Sequence, residues 1–146
     1  MATLKTWISA SRLRTLPLSI SGALVGSSYA YFLGFFDVLI FTLIILTTLS
    51  FQILSNLAND YGDGIKGTDN QSRIGPERAI QSGAVTPKQM QLAVILNVLI
   101  STGLAVALIW VSFGFEQLIN STVFIILGGL SIWAAISYTV GDSAYG

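Results

Sequence analysis

The sequence predicts an all-α membrane protein, a polytopic bundle of four transmembrane helices forming a single domain over residues 1–146. Three observations predict it. Of the 146 residues, 53% are hydrophobic and 10% are charged, where a soluble domain carries about a quarter charged. Four stretches hold no charge at all: Thr15–Phe36, Val38–Asn59, Gln89–Phe115 and Gln117–Gly141. Each exceeds the roughly 20 residues that a helix needs to cross a bilayer core. All seven Lys and Arg fall on one side of these stretches. The same composition excludes disorder, which needs low hydrophobicity and high charge. A net charge of zero offers nucleic acid nothing to bind. With no Cys and no His, disulfides, zinc fingers, thiol nucleophiles and imidazole bases are all absent. Any metal must be held by oxygen ligands, which suit Mg²⁺, Mn²⁺ or Ca²⁺.

The elements follow in chain order. Residues 3–14 mix Leu4, Trp7, Ile8 and Leu13 with Lys5, Arg12 and Arg14, a pattern open to two readings: a short interfacial helix or a basic flank that fixes orientation. The first span follows, then a turn at Asp37 and the second span. A long polar segment leads to the third span, and a turn at Glu116 leads to the fourth. Lys5, Arg12 and Arg14 precede the first span, and Lys66, Arg73, Arg78 and Lys88 lie between the second and third. The turns at Asp37 and Glu116 contain no Lys or Arg. Basic residues stay cytoplasmic, so both ends of the chain are expected in the cytoplasm, in a multi-pass protein of the cell (inner) membrane. Asn97, Ser101 and Thr102 in the third span are expected to bond between helices. Gly22, Gly26, Gly103, Gly128 and Gly129 are expected at close helix contacts. Trp110, Phe113, Phe115, Tyr29 and Tyr31 are expected in an aromatic belt at the far interface. Phe51 and Leu54 face either lipid or an apolar tunnel.

The chemistry concentrates between Gln52 and Lys88, with residues 58–88 read as a cytoplasmic Asp-rich loop. If the second helix runs to about Gly62, then Gln52, Asn56, Asn59/Asp60 and Asp63 share one face. Gly64 and Gly67 then interrupt it. Polar groups on one face at the membrane end of a helix point into a protein interior or a wet cavity. Carboxylates three residues apart, Asp60 and Asp63, can share a hard divalent cation, and Mg²⁺ takes one or two carboxylates with substrate phosphate oxygens. Arg73 and Arg78 can neutralise phosphate. The plainer alternative is a solvated loop whose four acids and four bases cancel. An EF-hand does not fit, because Gly62 and Gly64 stand at liganding positions.

Asn59-Asp60-Tyr61-Gly62-Asp63, Lys66-Gly67-Thr68-Asp69, Arg73-Ile74-Gly75-Pro76 and Arg78-Ala79-Ile80-Gln81-Ser82-Gly83 resemble the first aspartate-rich region of the UbiA-type intramembrane prenyltransferases. Among these, the stretch is most similar to the 1,4-dihydroxy-2-naphthoate polyprenyltransferases of menaquinone synthesis. Trp7, Arg12 and Arg14-Thr15-Leu16-Pro17-Leu18-Ser19 resemble the start of that family's first helix. Tyr138-Thr139-Val140-Gly141 with Ala144-Tyr145-Gly146 resembles a later motif. Two positions depart from the pattern: Leu13 stands where the family has Pro, and Asp142 where it often has a basic residue. The resemblance implies about nine helices and a second aspartate-rich loop, so this chain is expected to be the amino-terminal half of the fold, incomplete as a domain.

The resemblance implies transfer of a polyprenyl chain from polyprenyl diphosphate to 1,4-dihydroxy-2-naphthoate at the surface of the lipid bilayer, with Mg²⁺ as cofactor. Asp60 and Asp63 would be the catalytic metal ligands. Asn56, Asn59, Lys66, Arg73, Arg78 and Arg14 would bind the diphosphate. The 146 residues alone are expected to be inactive. Alternatives are another aromatic acceptor such as 4-hydroxybenzoate, or a non-catalytic membrane fragment. A CDP-alcohol phosphotransferase is disfavoured, because Asp63-Gly64 is followed by Ile65-Lys66-Gly67-Thr68, with no Ala-Arg.

Overall fold

The structure, a computed structural model, describes residues 3–67, 78–114, 116–141 and 144. It contains five helices: α1 (Leu4–Ala10), α2 (Leu16–Phe32), α3 (Val38–Lys66), α4 (Pro87–Phe113) and α5 (Leu118–Ser137). A 3-10 turn at Leu13–Thr15 joins α1 to α2, and no strand occurs among the described residues. Three helices, α3, α4 and α5, are long and apolar enough to cross a membrane. The fourth expected span, α2, has 17 residues, about 26 Å at 1.5 Å per residue and at the short end of the spanning range. It is shorter than its charge-free stretch because the 3-10 turn takes up its start, and Gly34, at φ 79°, turns the chain after its end.

Local chemistry explains the boundaries. Thr3 and Thr6 form a reciprocal cap that starts α1, so the amino-terminal segment is a helix rather than a loose flank. Asp37, read from the sequence only as a turn residue, caps α3 by accepting from the Ile40 amide at 2.9 Å; a carboxylate also suits the positive end of a helix. Thr86 and Gln89 form a second capping box, and Pro87 opens α4, where its missing N–H costs nothing. Gly67, left-handed at φ 71°, closes α3. Gly64 does not interrupt the helix, because its amide and φ remain helical. Residues 58–66, read as the start of a loop, therefore belong to α3.

Helix α3 is the hub, packing on α1, α2, α4 and α5. Its 29 residues extend about 43 Å, more than the roughly 30 Å hydrocarbon core. Its polar final turns therefore reach beyond the apolar layer. The best-buried cluster sits below those turns: Ala10, Leu54, Leu57, Ala79, Val85, Met90 and Val94, with Trp7 and Tyr61 against it. Leu54 is fully buried there, so it faces neither lipid nor a tunnel. The outer faces of α2, α4 and α5 remain exposed and apolar, as suits helices whose solvent is hydrocarbon.

Two expectations about small and polar residues divide. Ser101 does bond between helices: its hydroxyl lies 2.6 Å from that of Ser50 on α3, with both residues buried. Thr102 instead bonds back to Val98 within α4. The glycines named from the sequence make no close contact among the described residues. A Cβ on Gly22, Gly26, Gly103, Gly128 or Gly129 would meet nothing within 4 Å, because these glycines lie on faces that no other described element covers. The close contacts fall at Gly62 and Gly64. At the far end, Tyr31 meets Phe36 edge-on at 5.7 Å and Phe113 stacks on Phe124 at 5.1 Å, and Trp110 is exposed. Phe115 lies outside the described residues.

Candidate functional site

The last turns of α3 carry Asn56, Asn59, Asp60 and Asp63. Three other segments converge on them: the turn after residue 78, the α1–α2 elbow and the chain just past α5. Asp60 is buried, 2% exposed, and its Oδ2 accepts from the Ala79 amide at 3.3 Å. Asp63 is paired with Arg78, whose Nη1 lies 2.5 Å from Oδ2. The same Nη1 donates to the Asn59 carbonyl at 3.2 Å. The turn that carries Arg78 is anchored to the core. The Val85 amide closes on the Ala79 carbonyl at 3.0 Å, and the Val85 side chain is 1% exposed in the core. A guanidinium and two carboxylates thus stand together on a packed platform.

Asn56 points elsewhere. Its Nδ2 donates to the Ser11 carbonyl at 3.0 Å and to Thr15 Oγ1 at 3.3 Å. It ties the elbow between α1 and α2 to α3, one turn below Asp60. At that elbow Arg12 has φ 50°, the left-handed region, which costs a non-glycine residue about 1–2 kcal/mol. The Thr15 amide and hydroxyl both donate to the Arg12 carbonyl at 2.9 Å and hold it there.

The other expected site residues separate. Lys66 ends α3, exposed, where a cation complements the negative end of the helix. Arg14 is exposed on the 3-10 turn, and no hydrogen bond or ion pair joins it to Asp60 or Asp63 among the described residues. Arg73 lies outside the described residues, as do Asp69 and Asp142.

Sequence reasoning gave no role to two parts of this assembly. The Ala79 amide that meets Asp60 is a backbone group and leaves no mark in residue identity. Thr139, buried just past α5, donates to the α3 end at Ala58 and Asn59. It approaches so closely because Gly62 has no side chain: a Cβ there would lie 2.6 Å from the Thr139 carbonyl carbon. The Gly two positions after Thr139 and the Gly spacing in α3 were the available signals. Beside Tyr61, between α3, α4 and α5, opens an apolar cavity of about 360 Å³ lined by Val94, Val98, Leu99, Ile136 and Val140.

The donor set fits a hard cation. Asp60 and Asp63 offer oxygen only, and among the described residues no third acidic side chain joins them. Two carboxylates are what Mg²⁺ takes when substrate phosphates complete its shell. Arg78 adds a fork suited to phosphate oxygens.

Comparison with known proteins places the chain in a family. The chain is 44% identical over 142 residues to the 1,4-dihydroxy-2-naphthoate octaprenyltransferase of Escherichia coli (strain K12), covering 97% of this chain and 46% of the relative. It is 43% identical over 145 residues to the protein of the same name from Haemophilus influenzae, covering 98% and 46%. It is 32% identical over 148 residues to that of Mycobacterium tuberculosis, covering 100% and 47%. The chain spans about half the length of these curated relatives. No solved structure matches it significantly. The profile of the UbiA prenyltransferase family matches residues 19–144, a span that takes in the α3 carboxylates, the Arg78 turn and the Thr139 contact alike, and the chain belongs to that family of membrane proteins.

Proposed function

We propose that the full-length enzyme containing these residues transfers a polyprenyl chain from polyprenyl diphosphate to 1,4-dihydroxy-2-naphthoate, in menaquinone biosynthesis. The observation that carries this reading is the meeting of Asp60, Asp63 and Arg78 at the polar end of α3. The names of the relatives supply the aromatic acceptor.

In this reading Asp60 and Asp63 would hold Mg²⁺, which when bound would supply charge neutralisation for the diphosphate. Arg78 releases part of its hold on Asp63 and takes phosphate oxygens, so positive charge already stands where negative charge develops. The apolar cavity beside Tyr61 offers a site for hydrocarbon, away from water. The C1–oxygen bond of the prenyl diphosphate breaks, diphosphate leaves, and the naphthoate ring forms the new carbon–carbon bond with loss of its carboxylate as carbon dioxide.

The test is product analysis. Membranes holding the full-length enzyme, Mg²⁺ and a polyprenyl diphosphate should yield a prenylated naphthoquinol with 1,4-dihydroxy-2-naphthoate and at least tenfold less product with 4-hydroxybenzoate, a preference of about 1.4 kcal/mol. The reverse preference would reassign the acceptor. Membranes holding only these 146 residues should give no product above background, since the relatives are about twice as long and a partial site loses the advantage of an oriented acceptor. Product from them would show that this half suffices.

The orientation follows from charge. All seven basic residues fall on one side, so both ends of the chain, and the α3 carboxylates, face the cytoplasm of the inner membrane. Cysteine labels at Asp37 and Glu116 should react with an impermeant reagent only from outside. Reaction of either from the cytoplasmic side alone would overturn this topology.

A further inference from the structure

We propose that α1 and the elbow behind it are a docking surface for an anionic phospholipid monolayer, with Leu4 and Ile8 among the acyl chains and Lys5 and Arg14 at the headgroups. The inference does not depend on the prenyl-transfer reading. A helix of seven residues is marginal by itself in water, so α1 needs surfaces to lie against. The Thr3–Thr6 capping box starts it, and α3 supplies one such surface. Ala10 is buried in the cluster that holds Leu54 and Leu57, and Trp7 packs against that cluster. The rest of α1 divides into two strips. Leu4 is 77% exposed and Ile8 45%; they stand one turn apart and share a face. Lys5 and Ser9, both exposed, share the next face in the same way. The short helix is thus buried on one side, apolar and open on the second, and polar on the third.

Depth decides what covers the open apolar strip. At 1.5 Å per residue, about 20 residues of α3 fill a hydrocarbon core roughly 30 Å thick. Counted from Val38, just past the Asp37 cap, that core ends near Ala58. Leu54 and Leu57, which share the cluster with Ala10, stand at this boundary. Helix α1 therefore lies where acyl chains give way to headgroups, the level at which an amphipathic helix settles in a membrane surface. The strip continues into the wall of the bundle, since Leu13 on the 3-10 turn and Leu18 on α2 are exposed as well. Charge selects the kind of lipid. Lys5, Arg14, Lys66 and Lys88 are all exposed at this end. The described acids at the same end are Asp60, which is buried, and Asp63, which is paired with Arg78. Basic side chains beside a membrane surface attract anionic headgroups.

The experiment uses the full-length protein in nanodiscs of phosphatidylcholine and phosphatidylglycerol. These 146 residues contain no cysteine, so Leu4→Cys, Ile8→Cys and Ser9→Cys each give one labelling site in this half of the protein. With a nitroxide on each, collisions with oxygen should exceed those with a water-soluble nickel chelate at positions 4 and 8. The order should reverse at position 9. Preference of the nickel chelate at 4 and 8 would put α1 in water and overturn the inference. Shielding of both labels from both reagents would put the rest of the full-length chain, or a second copy, on this strip and overturn it equally. The headgroup is tested with a fluorophore at Ser9→Cys, in phosphatidylcholine nanodiscs carrying trace nitroxide lipid. Half-quenching should need less nitroxide-labelled phosphatidylglycerol than labelled phosphatidylcholine. Lys5→Gln should raise the amount of phosphatidylglycerol needed about fivefold, the effect of one basic residue near an anionic surface, and leave the phosphatidylcholine value unchanged. Equal values for the two lipids, or no response to Lys5→Gln, would contradict the anionic preference.

Discussion

Replacing Asp60 or Asp63 with alanine in the full-length enzyme should lower Mg²⁺-dependent prenyl transfer by about 10³-fold, since charge stabilisation by a bound metal contributes several kcal/mol and 1.36 kcal/mol is a factor of ten. The two variants should fail for different reasons. Asp63→Ala removes one of the two carboxylates proposed to hold the metal and strips Arg78 of its carboxylate partner, leaving a partly buried guanidinium. Asp60→Ala also orphans the Ala79 amide that Oδ2 accepts from, in a buried position where an unsatisfied donor costs about 1–3 kcal/mol. Asp60→Asn keeps an acceptor for that amide and should restore stability without restoring turnover. Both alanine variants should insert normally, because insertion follows span hydrophobicity and flanking charge. Metal-dependent product formation, measured alongside the amount of membrane-inserted protein, checks this. Full activity in both variants would reduce the carboxylates to a solvated helix end.

Gly62→Ala should destabilise the protein by about 1–3 kcal/mol, the usual cost of forcing atoms into a packed site. The new methyl would meet the Thr139 carbonyl oxygen and lie 2.8 Å from the Thr139 Cβ. The obstacle is backbone, so no rotamer change relieves it, and the chain past α5 must move away from α3. Gly103→Ala is the control: it lies in the same kind of helix with nothing within 4 Å. It should be neutral or stabilising by up to about 1 kcal/mol, since alanine is the better helix former. Thermal unfolding of the two variants in lipid nanodiscs checks the pair. Equal stability would mean that the α3–α5 contact is looser than described.

What the sequence made legible follows from the physics of each feature. Spans were legible because a charge-free stretch longer than a bilayer core has few other uses, and Val38–Lys66, Pro87–Phe113 and Leu118–Ser137 bear this out. The length of α2 was less legible, because Arg12 at φ 50° and the 3-10 turn depend on local backbone geometry that residue types only hint at. The shared face of Asn56, Asp60 and Asp63 was readable from helical periodicity. What each of them touches was not, because their partners come from distant segments: Ser11, Ala79 and Arg78 respectively. Glycines were misread for the same reason. Glycine in a membrane helix fits a close contact and an open face equally well, and only the fold shows that Gly62 is crowded while Gly22 and Gly26 are not. Ser101 was recognised as interhelical because an isolated hydroxyl in hydrocarbon needs a partner, while its partner Ser50 required the α3–α4 register.

Asp60 and Asp63 are proposed to hold a divalent cation which in turn holds the diphosphate. Electron–nuclear double resonance on the full-length enzyme, with Mn²⁺ in place of Mg²⁺ and a prenyl diphosphate bound, tests it directly. A phosphorus-31 coupling to the bound Mn²⁺ is expected in the parent enzyme, and its loss in Asp63→Asn. An absence of phosphorus coupling in the parent, or a coupling unchanged in both Asp60→Asn and Asp63→Asn, would contradict it.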